Sequence, residues 1–212
     1  MIDKPAATAL IELQYLPTIA FFAAITACDV VELEAHEYFE KQTYRNRTIF
    51  LSSQQTEKLT VPLIGANKKI KSRDIRIDQS QLWANKHWRT LKTCYGKSPY
   101  FEFFEDEFYQ IYKQKHQFLW DLNLAFLTKC LRIMQLQLKI TETGSYKKQL
   151  NKNVIDYRSL INPKREHLLE EVYKPVVYQQ NFGNTFEANL SVVDLIMNEG
   201  PNAFNIIKKS TV

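Results

Sequence analysis

Glycine is scarce in this sequence, at five among 212 residues. That argues against a collagen-like, loop-dominated or glycine-rich disordered chain and places most of the length in regular structure. No dinucleotide fingerprint, phosphate loop or Gly-x-Ser-x-Gly turn occurs, so no common motif announces a reaction. Cysteine is sparse as well. Cys28, Cys94 and Cys130 are odd in number and widely spaced, which fits neither a disulfide framework nor a zinc knuckle and favours a reducing compartment. Long apolar runs are missing: none approaches the roughly 20 residues that span a bilayer. The stretch before Cys28 ends in Ile25-Thr26-Ala27-Cys28 and imitates a lipoprotein cleavage box. Asp3 and Glu12 lie ahead of it, with Lys4 the one base there, so an unprocessed, cytoplasmic protein with no membrane span is expected.

Aromatic residues make up 13% of the chain and hydrophobic residues 45%, enough to fill one large core, so a single domain over 1–212 is expected. The net charge is +5, with basic runs at Lys68, Lys69, Lys71, Arg73, at Lys86, Arg89, Lys92 and at Lys147, Lys148. Such runs track phosphates in nucleic-acid binders, but acidic residues are interspersed here and no recognised binding motif is present. A solvated face, or a small anionic ligand, accounts for them better than nucleic acid.

The opening reads as strand, helix, strand. Thr8 to Leu13 is β-prone, Pro17 suits a first helical turn, Ile19, Phe22 and Ala23 repeat at helical spacing, and Val30 to Leu33 is extended again, a pattern that predicts a parallel pair. The helix amino terminus near Pro17 is then a candidate anion seat. Further strands are expected at Thr48 to Leu51, Leu59 to Leu63 and Asp74 to Ile77. A helix carries Trp83, His87, Leu91 and Cys94 in one row and stops at Gly96 and Pro99. A longer one runs from about His116 to Leu136 on a stripe of Leu119, Leu122, Phe126, Cys130, Ile133 and Met134. Asn123 beside that stripe is expected to be a satisfied core amide. Residues 142–170 are polar and read as a mobile excursion, structure resumes at Tyr173 to Tyr178, and Ser191 with Asp194 approximates a capping box before a helix stopped by Gly200 and Pro201. The fold class expected is α/β: a mixed, mostly parallel sheet with flanking helices.

The densest polar cluster, Glu34 to Arg47, follows the second strand, and ligands gather beyond the carboxyl ends of parallel strands. If the backbone stays extended, Glu34 and His36 point the same way, as an oriented base. No third ligand stands at a recognised spacing, so no metal is assigned. Arg45 and Arg47 share a face of an extended segment and suit a phosphate or carboxylate, with Tyr44 and Asn46 adding uncharged donors. The competing reading is two surface arginines in salt bridges. His87 lies between Trp83 and Leu91, where desolvation favours the neutral imidazole that a general base requires. A hydrogen-bonded core histidine explains the same position. Nothing names a cofactor.

Taken in order, Gln14-Tyr15-Leu16-Pro17, Phe21-Phe22, Glu34-Ala35-His36-Glu37, Lys41-Gln42-Thr43-Tyr44-Arg45-Asn46-Arg47 and Leu59-Thr60-Val61-Pro62 resemble the WbqC-like proteins. So do Trp83, Lys86-His87-Trp88, Tyr95, Ser98-Pro99-Tyr100-Phe101, Asp121-Leu122-Asn123 and Asn189 to Leu195. The resemblance covers nearly the whole chain. It implies a place in bacterial surface-polysaccharide and O-antigen biosynthesis, tailoring a sugar or nucleotide sugar, and supplies no agreed reaction. Two expectations follow. As a transferase, the protein moves an acyl or aminoacyl group to a sugar amine or hydroxyl, with Arg45 and Arg47 on a phosphate and His87 or His36 taking the proton. As a binding module, the same residues and Trp83 hold a glycan precursor, such as a nucleotide sugar, or a protein partner without chemistry. In either case His36, Arg45, Arg47 and His87 are expected to line one cavity.

Overall fold

The computed structural model describes residues 7–183 and 185–212; Asp3 and Lys4, which bore on processing, lie outside the described residues. The chain begins with β1 (Thr8–Ile11), α1 (Ile19–Thr26) and β2 (Val30–Leu33). Thr18 caps α1 by accepting the Phe21 N–H at 3.3 Å. Residues 19–25 of this helix are all buried, as an apolar surface on every side requires. β1 and β2 pair in parallel, Thr8 opposite Val30 and Ile11 opposite Leu33.

Two small antiparallel ladders come next: β3 (Arg47–Leu51) with β4 (Thr56–Thr60), and β5 (Leu63–Ile64) with β6 (Arg76–Ile77). Three helices follow, α2 (Trp83–Tyr95), α3 (Phe101–Lys113) and α4 (Leu119–Ile133), then β7 (Lys139–Glu142), β8 (Val154–Asp156), α5 (Val192–Glu199) and α6 (Ala203–Ser210). The main sheet has four strands in the order β7-β2-β1-β8, all parallel. The fold is therefore α/β with helices flanking a parallel sheet, and antiparallel pairing is confined to the two ladders. Strand order reverses at β1, which has β2 on one side and β8 on the other.

The α4 stripe is buried at Leu119, Leu122, Phe126, Cys130 and Ile133, with Met134 as its C-cap. Phe126 packs against the rings of Tyr15, Tyr112 and Phe108 at centroid distances of 5.6, 5.1 and 6.2 Å. Asn123 is a core amide that donates to the Arg45 carbonyl at 2.7 Å.

Several boundaries differ from the sequence expectation. The second ladder strand spans Thr56–Thr60, not Leu59 to Leu63, and Asp74 to Ile77 divides into a 3-10 turn at Ser72–Asp74 followed by β6. Residues 142–170 are no excursion: they hold β8 and complete the sheet. Their polarity reflects edge positions, where a strand has one neighbour and exposed side chains. Tyr173 to Tyr178 contains only one bridge, Tyr173 with Thr211. α3 and α6 were not anticipated, although Phe101, Phe104, Phe108, Ile111 and Tyr112 recur at helical spacing. Ser191 caps α5 through the Val193 N–H, but Asp194 turns inward to accept from Tyr178 Oη at 2.6 Å, so only half of the capping box forms.

Candidate functional site

Polar side chains stand within two residues after the end of each of the four parallel strands. Glu12 follows β1, Glu34 follows β2, Thr143 follows β7, and Arg158 and Ser159 follow β8. A cavity of about 710 Å3 opens beyond this edge, lined by His36, Glu37, Tyr38, Lys71, Gly144, Ser145, Tyr146, Lys148, Asp156, Arg158 and Ser159. It lies where parallel sheets bind ligands, in the crevice beside a reversal of strand order.

The floor of this edge is a network of buried ions. Glu34 Oε1 accepts from the His36 N–H at 2.9 Å and from Thr143 Oγ1 at 2.9 Å, and its Oε2 accepts from Arg158 Nη1 at 3.1 Å. Glu34 thus orients the main chain before His36, not its ring. Arg158 is further fixed by Asp156, through Nε at 2.9 Å and Nη2 at 2.8 Å, and lies 4.7 Å from the centroid of the Tyr146 ring. Arg45 donates to both Glu37 oxygens, Nε at 2.6 Å and Nη2 at 2.8 Å, while its Nη1 lies 3.8 Å from Glu12 Oε1. Ser159, held at φ +61, donates its N–H to Glu12 Oε2 at 2.8 Å. One guanidinium therefore faces two carboxylates. Burial pushes Glu12 up from 4.5 to about 7, against the pull of Arg45 and with the push of Glu37. Burial works against the charge of Arg45, but Glu12 and Glu37 outweigh it and leave the pKa above the ordinary value.

The expected site residues divide. Glu34 and His36 are at the sheet edge, and His36 Nδ1 lies 3.4 Å from the Lys71 ammonium. Arg45 is there too, as a buried ion-pair partner rather than a free anion receptor. Tyr44 is buried and gives its carbonyl to the Tyr15 N–H at 2.9 Å, with its phenol pushed up to about 12 by burial. Asn46 is buried and donates to the Val61 carbonyl at 3.1 Å. Both are buried packing residues, and neither lines the cavity. Arg47 begins β3 opposite Thr60, and its buried Nε has no hydrogen-bond partner among the described residues.

His87 and Trp83 line a different space. A groove of about 960 Å3 lies between β4 and α2, so the expectation of one cavity shared by His36 and His87 is not met. His87 Nδ1 is 2.9 Å from Tyr15 Oη, which is itself 2.9 Å from Tyr112 Oη. Burial, with help from Lys86, lowers the imidazole to about 4, so it is neutral at physiological pH. The Trp83 ring meets it edge-on at 5.2 Å. The α1 amino terminus is closed to ligands, because Leu190 O and Asn189 Oδ1 take the Ile19 and Ala20 N–H groups at 3.0 and 2.9 Å.

The pattern of the WbqC-like protein family matches residues 14–167 and 167–206. The chain belongs to this family. A stretch of 140 residues is 26% identical to uncharacterized protein Rv1507c of Mycobacterium tuberculosis, covering 65% of this chain and 60% of that protein. The matched stretch thus spans less than two thirds of that relative's length. No solved structure matches the chain. Among the described residues of this WbqC-like chain, no helix is long and apolar enough to cross a membrane.

Sequence reasoning placed Glu37 in the cluster at this edge without giving it a role, and missed Glu12, Lys71, Tyr146, Lys148, Arg158 and Ser159 as parts of it. Glu12 offered a signal, an acidic residue closing an apolar strand. Lys71 was hidden in a basic run. Arg158 and Ser159 were hidden in the segment read as an excursion, since β8 is only three residues long.

Proposed function

We propose that this WbqC-like protein binds an anionic sugar derivative, such as a nucleotide sugar, in the cavity beyond the carboxyl edge of the parallel sheet. In this reading it transfers an acyl or aminoacyl group from an activated ester or thioester donor, whose alcohol or thiol departs as the leaving group, to the sugar's amine or hydroxyl during bacterial surface-polysaccharide synthesis. The observation that carries the proposal is the cavity itself. It is lined by His36, Lys71, Lys148 and Arg158 and flanked by the exposed rings of Tyr38 and Tyr146, and Arg158 is already paired with Glu34 and Asp156 while Arg45 is paired with Glu37. With the buried arginines committed to carboxylates, Lys71 and Lys148 are the cations left to meet a phosphate. His36 is the candidate base that lines this space. When Lys71 turns to the ligand, the imidazole is released to take a proton from the sugar amine or hydroxyl.

A binding module without turnover is the second reading. It is favoured by the state of the thiols, none of which is activated: burial raises Cys28, Cys94 and Cys130 alike, Cys94 to about 12. Calorimetry with a nucleotide sugar and with the matching neutral sugar tests the site. The nucleotide sugar should bind more tightly, and Lys71→Ala should weaken it about tenfold by loss of a charge-assisted hydrogen bond. Equal affinity for both sugars removes the proposal. Incubation with the small-molecule fraction of a cell extract separates the two readings, since a transferase yields a sugar heavier by an acyl or aminoacyl mass and a binder returns it unchanged.

A further inference from the structure

Among the described residues eight cations have a carboxylate partner. Arg45, Arg73, Lys92, Lys129, Arg132, Lys147, Arg158 and Lys164 all stand within ion-pair distance of a carboxylate. The groove between β4 and α2 is different. Lys58, Lys86 and Arg89 line it together, and none of the three has an ion-pair partner among the described residues. Glu57 is the one carboxylate on the same wall. In the same groove Trp83 is buried, at 8% exposure. Its indole N–H has no hydrogen-bond partner among the described residues. A buried donor left unpaired is unfavourable, so it marks a place where an acceptor belongs. Thr60 and Thr90 add hydroxyls to the lining. His87 beside them is fixed by Tyr15 at 2.9 Å and carries no charge that would complete or oppose the cluster.

We propose that this groove is a second binding site, separate from the sheet edge, for the phosphate groups of a small molecule. Lys58, Lys86 and Arg89 neutralise the phosphate oxygens, and the Trp83 indole N–H supplies a directed donor. Planar arginine and mobile lysine heads on neighbouring turns suit a diphosphate, which offers oxygens on both sides of its bridge. The volume, about 960 Å3, also admits the rest of a nucleotide-sized molecule. In this assignment Trp83 is an anion-binding residue, but its partners come from β4 and α2 rather than from Arg45 and Arg47.

Inorganic pyrophosphate is the probe, titrated into the whole protein by calorimetry and by nitrogen–proton correlation spectra of the three tryptophans. The Trp83 indole resonance, assigned with Trp83→Phe, should shift on titration. Lys86→Ala/Arg89→Ala changes only exposed side chains, so the fold should persist, and pyrophosphate binding should fall at least tenfold with the indole shift lost. Lys71→Ala, which acts on the sheet-edge cavity, should leave the Trp83 indole shift in place. If Lys71→Ala abolishes binding while the α2 double variant retains it, the phosphate sits at the sheet edge and the second site is overturned, with the proposed function left standing. Pyrophosphate binding that leaves the Trp83 resonance still, or no binding at all, overturns it as well. If a single-stranded oligonucleotide displaces pyrophosphate with a steep salt dependence, the groove is a nucleic-acid tract and the small-molecule assignment fails.

Discussion

Glu12 and His87 are both buried ionisable groups, and burial moves them in opposite directions because it penalises whichever form is charged. Glu12 rises from 4.5 to about 7 and His87 falls from 6.5 to about 4. Across roughly pH 4.5 to 7 the folded protein keeps a proton on Glu12 that the unfolded chain has released, so this residue lowers stability as pH rises. His87 acts the other way between roughly pH 4 and 6.5, where the unfolded chain takes up a proton that the folded imidazole refuses. The two slopes largely cancel in the parent, so a single variant is the informative measurement. Glu12→Gln should gain stability relative to the parent as pH rises from 4.5 to 7, by about 3 kcal/mol at most, and hold that gain above pH 7. Urea denaturation at a series of pH values reads this directly, and a difference independent of pH would contradict it. Arg45→Ala should behave as a structural lesion: it leaves Glu37 and Glu12 facing each other without a cation, so a loss of about 3–5 kcal/mol is expected in the same assay.

α4 was the most legible element, and its energetics follow from its stripe. Leu122 and Phe126 are fully buried, so truncating either to alanine should cost about 2–5 kcal/mol through the cavity left behind. Lys129→Ala should cost no more than about 1 kcal/mol, because its pairing with Glu107 is partly solvated. Chemical denaturation of the three variants ranks them. The junction of α5 and α6 depends on one glycine. Gly200 has φ +56, and a Cβ there would lie 2.4 Å from the Tyr100 ring. Gly200→Ala therefore meets both a backbone penalty and an aromatic wall, and should lower thermal stability more than a substitution at Gly144, where a Cβ finds nothing within 4 Å. α3 shows the converse of α4. Its aromatic spacing was readable, yet Glu102, Glu105, Asp106 and Glu107 stand between the rings and interrupt the apolar stripe in the linear sequence.

At the scale of the whole molecule, the sheet is central at β1 and β2 and thin at its edges. Ala9, Leu10, Ile11, Val31 and Leu33 are buried, whereas Ile155 in β8 is 43% exposed. Amide exchange should therefore be slow in β1 and β2 and markedly faster in β8, and equal protection across the sheet would contradict that order. The sequence alone determined the parallel β1-α1-β2 start, α2 and α4, the α/β class and the polar character of the segment after β2. Each of these rests on local periodicity, on caps and stops, or on local composition. Tertiary structure alone decided the rest. It put β7 and β8 on opposite edges of the sheet, which no local pattern in short polar strands encodes. It buried Arg45 between Glu37 and Glu12, which are 8 and 33 positions away in sequence. It also set His87 in a groove apart from His36. The physical reason is the same in each case. Which charges neutralise one another, and which side of a helix meets a given strand, depend on chain crossings that sequence neighbours do not record.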